Sequence, residues 1–428
     1  MKFEQSSKWL ERAKQLIPSA SQTYSKSYEY YCTGAAPTFL DRGEGAYVWD
    51  VDGNKFVDFV LALGAVSIGY NHPEINMAIE EQLKKGISFS QPHKLEVQLA
   101  EKLIQIIPCA EMIRFMKNGS DATSAAVRLS RAYTGREMIA FCGYHGFQDW
   151  YVGSTTNHKG VPEIVRQLTK PFQYNRLDSL AELFEQYPGQ IAAVIMEPLG
   201  LEAPKEDFLT NVKELAHSNG ALLIFDEVIT GFRLSLGGAQ DYFGITPDLC
   251  AIGKGMANGM PISAVAGRRD VMQLIDRGVF ISMTFGGETL SLASALATLA
   301  ILERKGTYEH IWNLGEKWLQ GCKELIVSRN LQNIVETTGF APHSGVVFRD
   351  YGKVAATEWL SLYQQELISR GILTLGINNY CLAHKPEDIQ KYLQAVDAAC
   401  DKLIEAKTQG SVDPFLRGKK IRPIFKRN

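Results

Sequence analysis

The first clear pattern of hydrophobic and polar positions is a short alternation in GAYVWDVDGNKFVDFV, residues 45–60. The alternation has a period of two, as in a strand, and it flanks an Asp-Gly pair. That dipeptide tolerates the positive φ angles of a tight turn. The segment therefore predicts two strands joined as an antiparallel hairpin.

From about Leu95 the pattern changes to helical stretches alternating with short apolar runs. KLEVQLAEKLIQII is one such helical stretch, and the apolar runs are MIRFM, MIAFC, IAAVIMEP, ALLIFDEV and ISAVAG. Strands that alternate with helices indicate a parallel or mixed sheet covered on both faces. We therefore expect an α/β architecture for this part of the chain.

The last 120 or so residues have a different pattern. The amphipathic segments EKWLQGCKELIVSRN and EDIQKYLQAVDAACDKLIEA predict helices around two strand candidates, GVVFRD and GILTLG. A chain of 428 residues is also longer than one hydrophobic core usually covers. We predict a small domain formed by residues 1–60 and 309–428, and a large domain formed by residues 61–308.

Composition and charge exclude several classes of protein. Hydrophobic residues make up 45% of the chain, charged residues make up 21%, and the net charge of -2 gives no electrostatic reason to expect nucleic acid. The C-terminal segment RGKKIRPIFKRN contains six basic residues. Such a short run favours a solvated or partner-packed tail over a nucleic-acid site.

The sequence also favours a cytoplasmic protein. The longest apolar run, LSLASALATLAIL, is too short to cross a membrane and predicts a buried helix. The N-terminal segment carries charges throughout and lacks the apolar centre of a signal peptide. The seven cysteines are scattered singly, without a zinc or redox motif. We expect reduced thiols and no metal site.

Open α/β sheets bind ligands at the carboxyl ends of their strands, so the residues that follow each strand are the candidates for chemistry. After MIRFM, the residues Asn118, Gly119 and Ser120 lead directly into a predicted helix. Backbone N–H groups at a helix N-terminus, with the helix dipole, suit a phosphate. A plain N-cap by Asn118 or Ser120 is the alternative.

After MIAFC, glycines bracket Tyr144 and His145 in a turn. Such a turn can present a flat side chain to a flat ligand. Packing of the aromatic ring and a buried, hydrogen-bonded histidine are the alternatives.

The remaining two candidates follow the runs LLIF and PDLCAI. Asp226 ends a buried strand, where a carboxylate needs a partner such as a magnesium ion or a protonated ring nitrogen. Lys254 stands among small residues, and desolvation of its amine would favour the neutral, nucleophilic form. A structural ion pair is the alternative for Lys254.

Together, the four places describe a pocket for pyridoxal phosphate. The lysine would bond the cofactor's aldehyde carbon, and the aspartate would hold the pyridinium N–H so that the ring withdraws electrons. The aromatic turn would cover one ring face, and the helix N-terminus would hold the phosphate.

The segments FDEVITGFR and PDLCAIGKGMANGMPISAVAGRRDVM resemble the signature of the class III, fold-type I pyridoxal-phosphate aminotransferases. The resemblance extends over nearly the whole chain and includes GYNHPEI, RFMKNGSDATSAAVRLSRAYTGR, GYHGFQDW and MEP. Within the family, the glutamate-1-semialdehyde 2,1-aminomutases resemble the chain closely. The resemblance implies a large domain with a mostly parallel seven-stranded sheet, a small α+β domain from both termini, and a homodimer with shared active sites.

The resemblance also implies roles for individual residues. Lys254 would be the Schiff-base lysine, Asp226 the partner of the ring nitrogen and Tyr144 the residue that stacks on the ring; these three are the catalytic candidates. The full set of cofactor-binding candidates is Asn118, Gly119, Ser120, Tyr144, His145, Glu197, Asp226, Val228, Lys254 and Thr284. Thr284 is expected to reach the phosphate of the partner subunit.

Departures from the aminomutase pattern affect the substrate more than the fold. The family's substrate-binding arginine is missing from SQTYSKSYEYY, where Lys26 lies nearest and lacks the planar fork that grips a carboxylate. Glu288 and Thr289 replace an Asn-Pro pair. The chain instead carries a polar and aromatic set that suits a polyhydroxylated substrate: Tyr24, Ser25, Gln148, Asp149 and Trp150.

The predicted function is an aminotransferase that moves an amino group from a donor such as glutamate to an aldehyde or ketone. A resemblance to aminotransferases of surface-polysaccharide and nonulosonate biosynthesis suggests a keto-sugar acceptor. The alternative is glutamate-1-semialdehyde 2,1-aminomutase, with the polar segment 153–165 as a gating loop. A protein that binds the cofactor or a nucleotide without catalysis is a third possibility.

Overall fold

The computed structural model describes residues 1–422, so the last six residues of the basic tail lie outside the described chain. The chain forms two compact units. Met1–His72 joins the chain from Glu309 onward in the first, and Pro73–Tyr308 forms the second. Residues 61–72, which we assigned to the large domain, thus belong to the first unit. Their backbone explains this, because Ser67 and Ile68 accept hydrogen bonds from the amides of Leu382 and Ala383.

The strands, in chain order, are β1 (Leu40–Glu44), β2 (Tyr47–Asp50), β3 (Lys55–Asp58), β4 (Met112–Met116), β5 (Met138–Cys142), β6 (Thr169–Pro171), β7 (Ile191–Met196), β8 (Leu222–Glu227), β9 (Leu249–Ile252), β10 (Ser263–Gly267), β11 (Val335–Phe340), β12 (His343–Phe348), β13 (Ile372–Leu373) and β14 (Ile377–Asn379). The α-helices are α1 (Glu4–Leu16), α2 (Leu61–Gly64), α3 (Pro73–Leu83), α4 (Lys94–Ile106), α5 (Gly119–Thr134), α6 (Asp149–Val152), α7 (Glu163–Gln167), α8 (Leu177–Gln186), α9 (Phe208–Ser218), α10 (Gly238–Phe243), α11 (Arg269–Met272), α12 (Thr289–Leu302), α13 (Thr307–Ser328), α14 (Ala356–Ser369) and α15 (Pro386–Gln409).

The second unit contains a seven-stranded sheet in the order β4-β10-β9-β8-β7-β5-β6. Strand β10 is antiparallel to both of its neighbours, whereas β9, β8, β7, β5 and β6 pair in parallel. The α/β prediction is confirmed. Because all strands except β10 run the same way, their carboxyl ends meet at one edge of the sheet.

The sheet forms because its central strands are apolar on both faces. Every residue of β7 and of β8 is buried, as expected for parallel strands covered by helices on both sides. The run LSLASALATLAIL forms most of α12, and ten of its fourteen helical residues are buried. This confirms the predicted buried helix. No helix within residues 1–422 is both long and apolar enough to cross a membrane.

The first unit contains two small sheets, ordered β1-β2-β3-β13 and β11-β12-β14. Strands β2 and β3 are antiparallel, so the predicted hairpin is confirmed. GILTLG contributes β13, which pairs in parallel with β3, while GVVFRD contributes part of β12. The aromatic side chains of Trp318, Trp359 and Tyr363 are fully or almost fully buried in the core of this unit.

The residues directly after β3 have an uncommon backbone. Leu61, Ala62 and Leu63 have φ angles of 49°, 52° and 62°, in the left-handed region, and they are followed by Gly64 with φ 85°. The turn is held at its start by Asp58, whose Oδ1 accepts hydrogen bonds from the amides of Val60 (2.8 Å) and Leu61 (3.1 Å). The element α2 (Leu61–Gly64) is therefore not a right-handed helix, and we call it the left-handed turn.

Candidate active site

The candidate residues of the second unit follow neighbouring strands at one edge of the large sheet. Asp226 in β8 is in register with Ala251 in β9, and Lys254 follows β9. On the other side, Phe225 pairs with Met196, directly before Glu197, and Met196 pairs with Cys142, two residues before Tyr144. The topology thus brings the residues after β5, β7, β8 and β9 together.

Lys254 begins a short 3-10 turn, Lys254–Ala257, directly after β9. Its φ angle is 34°, in the left-handed region that costs a non-glycine residue about 1–2 kcal/mol. The turn is fixed by its buried neighbours Met256 and Ala257, and by Ser294, whose hydroxyl donates to the Ala257 carbonyl at 2.9 Å. The chain therefore holds the lysine in a strained backbone conformation, as is common at functional sites.

Asp226 is buried, with 4% of its surface exposed, and both of its carboxylate oxygens accept hydrogen bonds. His145 Nδ1 contacts Oδ2 at 2.8 Å, and the Val228 amide donates to Oδ1 at 3.1 Å. The other ring nitrogen of His145 faces the Cys142 carbonyl at 3.2 Å. His145 is itself buried, so the structure places it against the aspartate, where it orients the carboxylate.

The turn before α5 begins with Asn118 and has the features expected of an anion site. The Asp121 carboxylate accepts the Asn118 amide at 2.9 Å, so the capping oxygen comes from Asp121. The Ser263 hydroxyl, at the start of β10, donates to the Asn118 carbonyl at 2.7 Å. The first amides of a helix have no acceptor within it. Gly119 and Ser120 provide such amides at the positive end of the sixteen-residue helix α5.

Two glycines allow close approach around this turn. A methyl group on Gly119 would lie 2.8 Å from Cγ1 of Val228, and one on Gly146 would lie 2.2 Å from the Ser120 hydroxyl. Gly146 also has a left-handed φ of 103°. Val228 and the turn that carries Tyr144 therefore both pack directly on the turn at Asn118–Ser120.

Tyr144 and Glu197 are joined to each other. The Tyr144 amide donates to Glu197 Oε2 at 2.9 Å, while the Tyr144 ring is partly exposed. One carboxylate oxygen of Glu197 thus fixes the aromatic turn. This leaves the Tyr144 ring in a position where a flat ligand can reach it.

Glu227, next to Asp226, was not assigned a role from the sequence. Its buried carboxylate accepts hydrogen bonds from the Thr230 hydroxyl (2.8 Å), the Ala239 amide (2.6 Å), and the Gln240 amide (2.9 Å) and side chain (3.1 Å). Burial raises the pKa of Glu227, and these donors oppose that shift. Glu227 thus links the loop after β8 to α10 through hydrogen bonds. In the sequence, only its position at the end of an apolar strand indicated a functional or structural role.

One of the side chains grouped for substrate binding differs from its expectation. Trp150, which we grouped with substrate-facing side chains, is buried, and its indole N–H donates to the Ser124 hydroxyl at 2.9 Å. Thr284 is exposed in the turn before α12, and its expected contact with the phosphate of a partner subunit stays a prediction. Glu288 caps α12 through the amides of Leu290 and Ser291.

The donors and acceptors at this edge suit pyridoxal phosphate. A buried carboxylate can accept a ring N–H, a helix N-terminus can hold a phosphate, and a lysine follows the adjacent strand. Among residues 1–422, no group of three or more His, Cys, Asp or Glu side chains is placed to hold a metal ion.

Comparisons with known proteins agree with this fit. The family model described as Aminotransferase class-III matches residues 30–340. Glutamate-1-semialdehyde 2,1-aminomutase from Thermus thermophilus is 36% identical over 419 residues, covering 91% of this chain and 98% of that protein. The enzyme of the same name from Alkaliphilus oremlandii is 36% identical over 431 residues, covering 94% and 99%. The solved structure of the FumI protein of Sphingopyxis sp. MTA144, in its PLP internal aldimine form, has a TM-score of 0.87 and 28% identity, covering 96% and 99%.

Proposed function

Because this chain belongs to the class III aminotransferases, which use pyridoxal phosphate, we propose that it moves an amino group from a donor such as glutamate to an aldehyde or ketone acceptor. The observation that carries the proposal is the placement of Lys254, in a strained turn after β9, next to β8, whose carboxyl end contains the buried Asp226. A lysine and a carboxylate at adjacent strand ends can contact opposite ends of one flat cofactor, with the lysine at its aldehyde carbon and the carboxylate at its ring nitrogen.

Each residue has a defined task in this proposal. When bound, pyridoxal phosphate supplies an electron-withdrawing ring that accepts the electron pair left at the donor's Cα. The amine of Lys254 carries the proton between that Cα and the C4′ carbon of the cofactor. Asp226 keeps the ring nitrogen protonated, and His145 keeps Asp226 in place. Tyr144 covers one ring face, and Val228 packs on the other.

The phosphate would be held by the turn at Asn118–Ser120. The amides at the start of α5 and the Ser120 hydroxyl provide donors, and the helix dipole favours the negative charge. Glu197 would lie near the ring hydroxyl, with its position set by the Tyr144 amide.

An absorbance spectrum tests the core of the proposal. Purified protein incubated with pyridoxal phosphate should gain a visible band that borohydride abolishes by reducing the bond to Lys254. Lys254→Ala should lack the band, and Lys305→Ala, at an exposed lysine, should keep it. A wild-type protein that stays colourless would contradict the proposal. Adding glutamate alone should then convert the cofactor to its pyridoxamine form and release 2-oxoglutarate.

The aminomutase reaction is the second candidate, because the two curated relatives carry that name at 36% identity. The proposed gating segment 153–165 begins at Gly153, whose carbonyl accepts a hydrogen bond from Arg166 Nε at 3.1 Å. Glutamate-1-semialdehyde should distinguish the two reactions. Its conversion to 5-aminolevulinate without added donor, together with inertness towards glutamate, would favour the aminomutase.

For the acceptor, we propose a keto-sugar. The support from the sequence is a set of polar side chains that can hydrogen-bond hydroxyls: the hydroxyls of Tyr24 and Ser25, the amide of Gln148 and the carboxylate of Asp149. Trp150 no longer belongs to this set because its N–H is bonded to Ser124. A screen of keto-sugars and semialdehydes against the pyridoxamine form, followed by the return of the visible band, would identify the acceptor.

We also propose a homodimer with shared active sites. Three phenylalanines of the second unit are unusually exposed in the single chain: Phe147 at 66%, Phe280 at 77% and Phe285 at 58%. Phe285 lies next to Thr284, the residue expected to reach the partner's phosphate. We propose that these side chains lie at the interface with the partner subunit, since contiguous exposed apolar surface marks interaction sites. Light scattering on a sizing column should give twice the chain mass, and a monomer with full cofactor content would contradict the proposal.

A further inference from the structure

Two buried aromatic residues occupy the first turn of α6 and have no role in the proposed reaction. Trp150 is 7% exposed and Tyr151 is 3% exposed, so neither side chain is available to a substrate. The backbone of this turn is anchored as well, because the Thr169 hydroxyl donates to the Trp150 carbonyl at 2.6 Å. Both side chains point to groups that the cofactor site depends on.

Trp150 connects the phosphate-binding helix to His145. Its indole N–H donates to the hydroxyl of Ser124, which lies one turn after Ser120 in α5. Its ring is nearly parallel to the His145 ring, with an interplanar angle of 18° and 6.1 Å between centroids. His145 in turn contacts Asp226. A continuous path therefore runs from the helix that would hold the phosphate to the carboxylate that would hold the ring nitrogen.

Tyr151 holds the aromatic turn itself. Its hydroxyl donates to the Gly143 carbonyl at 3.1 Å, directly before Tyr144. Its ring meets the Tyr144 ring edge-on, at 84° and 5.6 Å, and meets the His145 ring at 74° and 5.4 Å. Edge-to-face pairs at these separations are attractive and restrict the orientation of both rings. One side chain thus contacts both the stacking ring and the histidine.

We infer that Trp150 and Tyr151 are positioning residues that fix Tyr144 and the His145–Asp226 pair relative to the phosphate-binding end of α5. The inference rests on the proposed function, since it concerns how the same site holds pyridoxal phosphate. The cofactor is gripped at its phosphate, its ring face and its ring nitrogen by three separate segments. Trp150 and Tyr151 contact two of these segments directly and reach Asp226 through His145, so they set the spacing that a rigid ligand requires.

The test uses the full-length holoenzyme. The first measurement is the rate at which pyridoxal phosphate is released after its reversible displacement from Lys254. The second is the visible circular dichroism of the bound cofactor. Trp150→Phe keeps an aromatic ring but loses the indole N–H. We expect release to become about fivefold faster, the factor that corresponds to one neutral hydrogen bond. Tyr151→Phe, which loses only its hydroxyl, should have an effect of about the same size and should alter the dichroism.

Ser124→Ala provides a matched test of the Trp150 contact. It removes the acceptor of the same hydrogen bond, so alone it should also speed release about fivefold. The double variant Ser124→Ala/Trp150→Phe should be no faster than either single variant, because both changes remove one shared interaction. Multiplication of the two effects would overturn the proposed path through Ser124.

Two control variants separate positioning from general stability. Trp359→Phe makes the same change at a buried tryptophan of the first unit, and Tyr133→Phe removes a hydroxyl at the far end of α5. Both should leave the release rate and the dichroism unchanged, even where the melting temperature falls. If the Trp150 and Tyr151 variants behave like these controls, the inference is overturned while the proposed function stands. A wild-type protein that takes up no cofactor would overturn both.

Discussion

The contact between His145 and Asp226 leads to the sharpest prediction for this site. Replacing His145 with leucine keeps a side chain of similar size but removes the donor that contacts Asp226 Oδ2 at 2.8 Å. Asp226 is 4% exposed, so water cannot readily take the place of that donor. Asparagine at the same position is the matched variant, because its amide nitrogen can occupy the place of Nδ1.

The size of the effect follows from the type of bond. A hydrogen bond to a charged group contributes about 1.5–3 kcal/mol, and about 1.4 kcal/mol corresponds to a factor of ten. His145→Leu should therefore slow the reaction with glutamate about 10-fold to 100-fold, because an unanchored Asp226 holds the ring nitrogen less well. The cofactor-free protein should also lose about 1.5–3 kcal/mol of unfolding free energy. His145→Asn should recover most of both losses.

The assay is rapid mixing of the holoenzyme with glutamate, monitored by loss of the visible band, together with urea unfolding of the cofactor-free protein. Equal rates and equal unfolding midpoints for wild type, His145→Leu and His145→Asn would refute the reasoning. Loss of stability with an unchanged rate would restrict His145 to a structural role.

Three further predictions concern other buried or strained groups. Glu227→Gln should lower the melting temperature although it removes a buried charge. Each carboxylate oxygen of Glu227 accepts two hydrogen bonds, so the NH₂ group of glutamine would face two donors in either orientation of the amide. An unchanged melting temperature would contradict this. Ala62→Gly should raise the unfolding free energy by about 1 kcal/mol, measured by urea unfolding, because glycine adopts the left-handed φ of 52° without strain; a loss of stability would count against strain in the turn. Burial lowers the pKa of His384 to about 4. Between pH 6.5 and 4 the imidazole is therefore protonated in the unfolded chain but not in the folded chain. The unfolding free energy should fall by up to roughly 3 kcal/mol as the pH drops through this range. His384→Asn, which can still accept the Cys381 amide, should lack this slope in unfolding experiments across that pH range.

The large sheet was predictable because its strands carry their signal locally. The runs MIRFM, MIAFC and IAAVIM are short and mostly apolar, and they form the whole of β4, β5 and β7. The pairing of GILTLG could not be predicted from local sequence, because β13 pairs with β3, which lies more than 300 residues earlier in the chain. Strand β11, with the sequence VETTGF, was missed because its polar residues give no strand alternation.

The candidate site was predictable as a set of strand-end residues but not as a set of contacts. The positions of Asp226 and Lys254 followed from the rule that ligands bind at the carboxyl ends of strands. The sequence could not indicate that His145 turns toward Asp226, or that Trp150 turns toward Ser124, because both contacts depend on how loops fold over helix α5. The polar tip of Trp150 allowed a substrate-facing interpretation until its bond partner was known.

The pairing of β3 with β13 has a consequence for how the protein is made. Strand β3 contains Val57 and Asp58, and roughly 300 further residues must be synthesised before their partners Ile372 and Leu373 emerge. The first unit therefore cannot complete this sheet on the ribosome until Leu373 has emerged, whereas the second unit, Pro73–Tyr308, is continuous. During that interval the apolar face of the early hairpin lacks its final neighbours. The nascent chain is then most open to misassociation, and slower elongation before Ile372 would prolong this exposure.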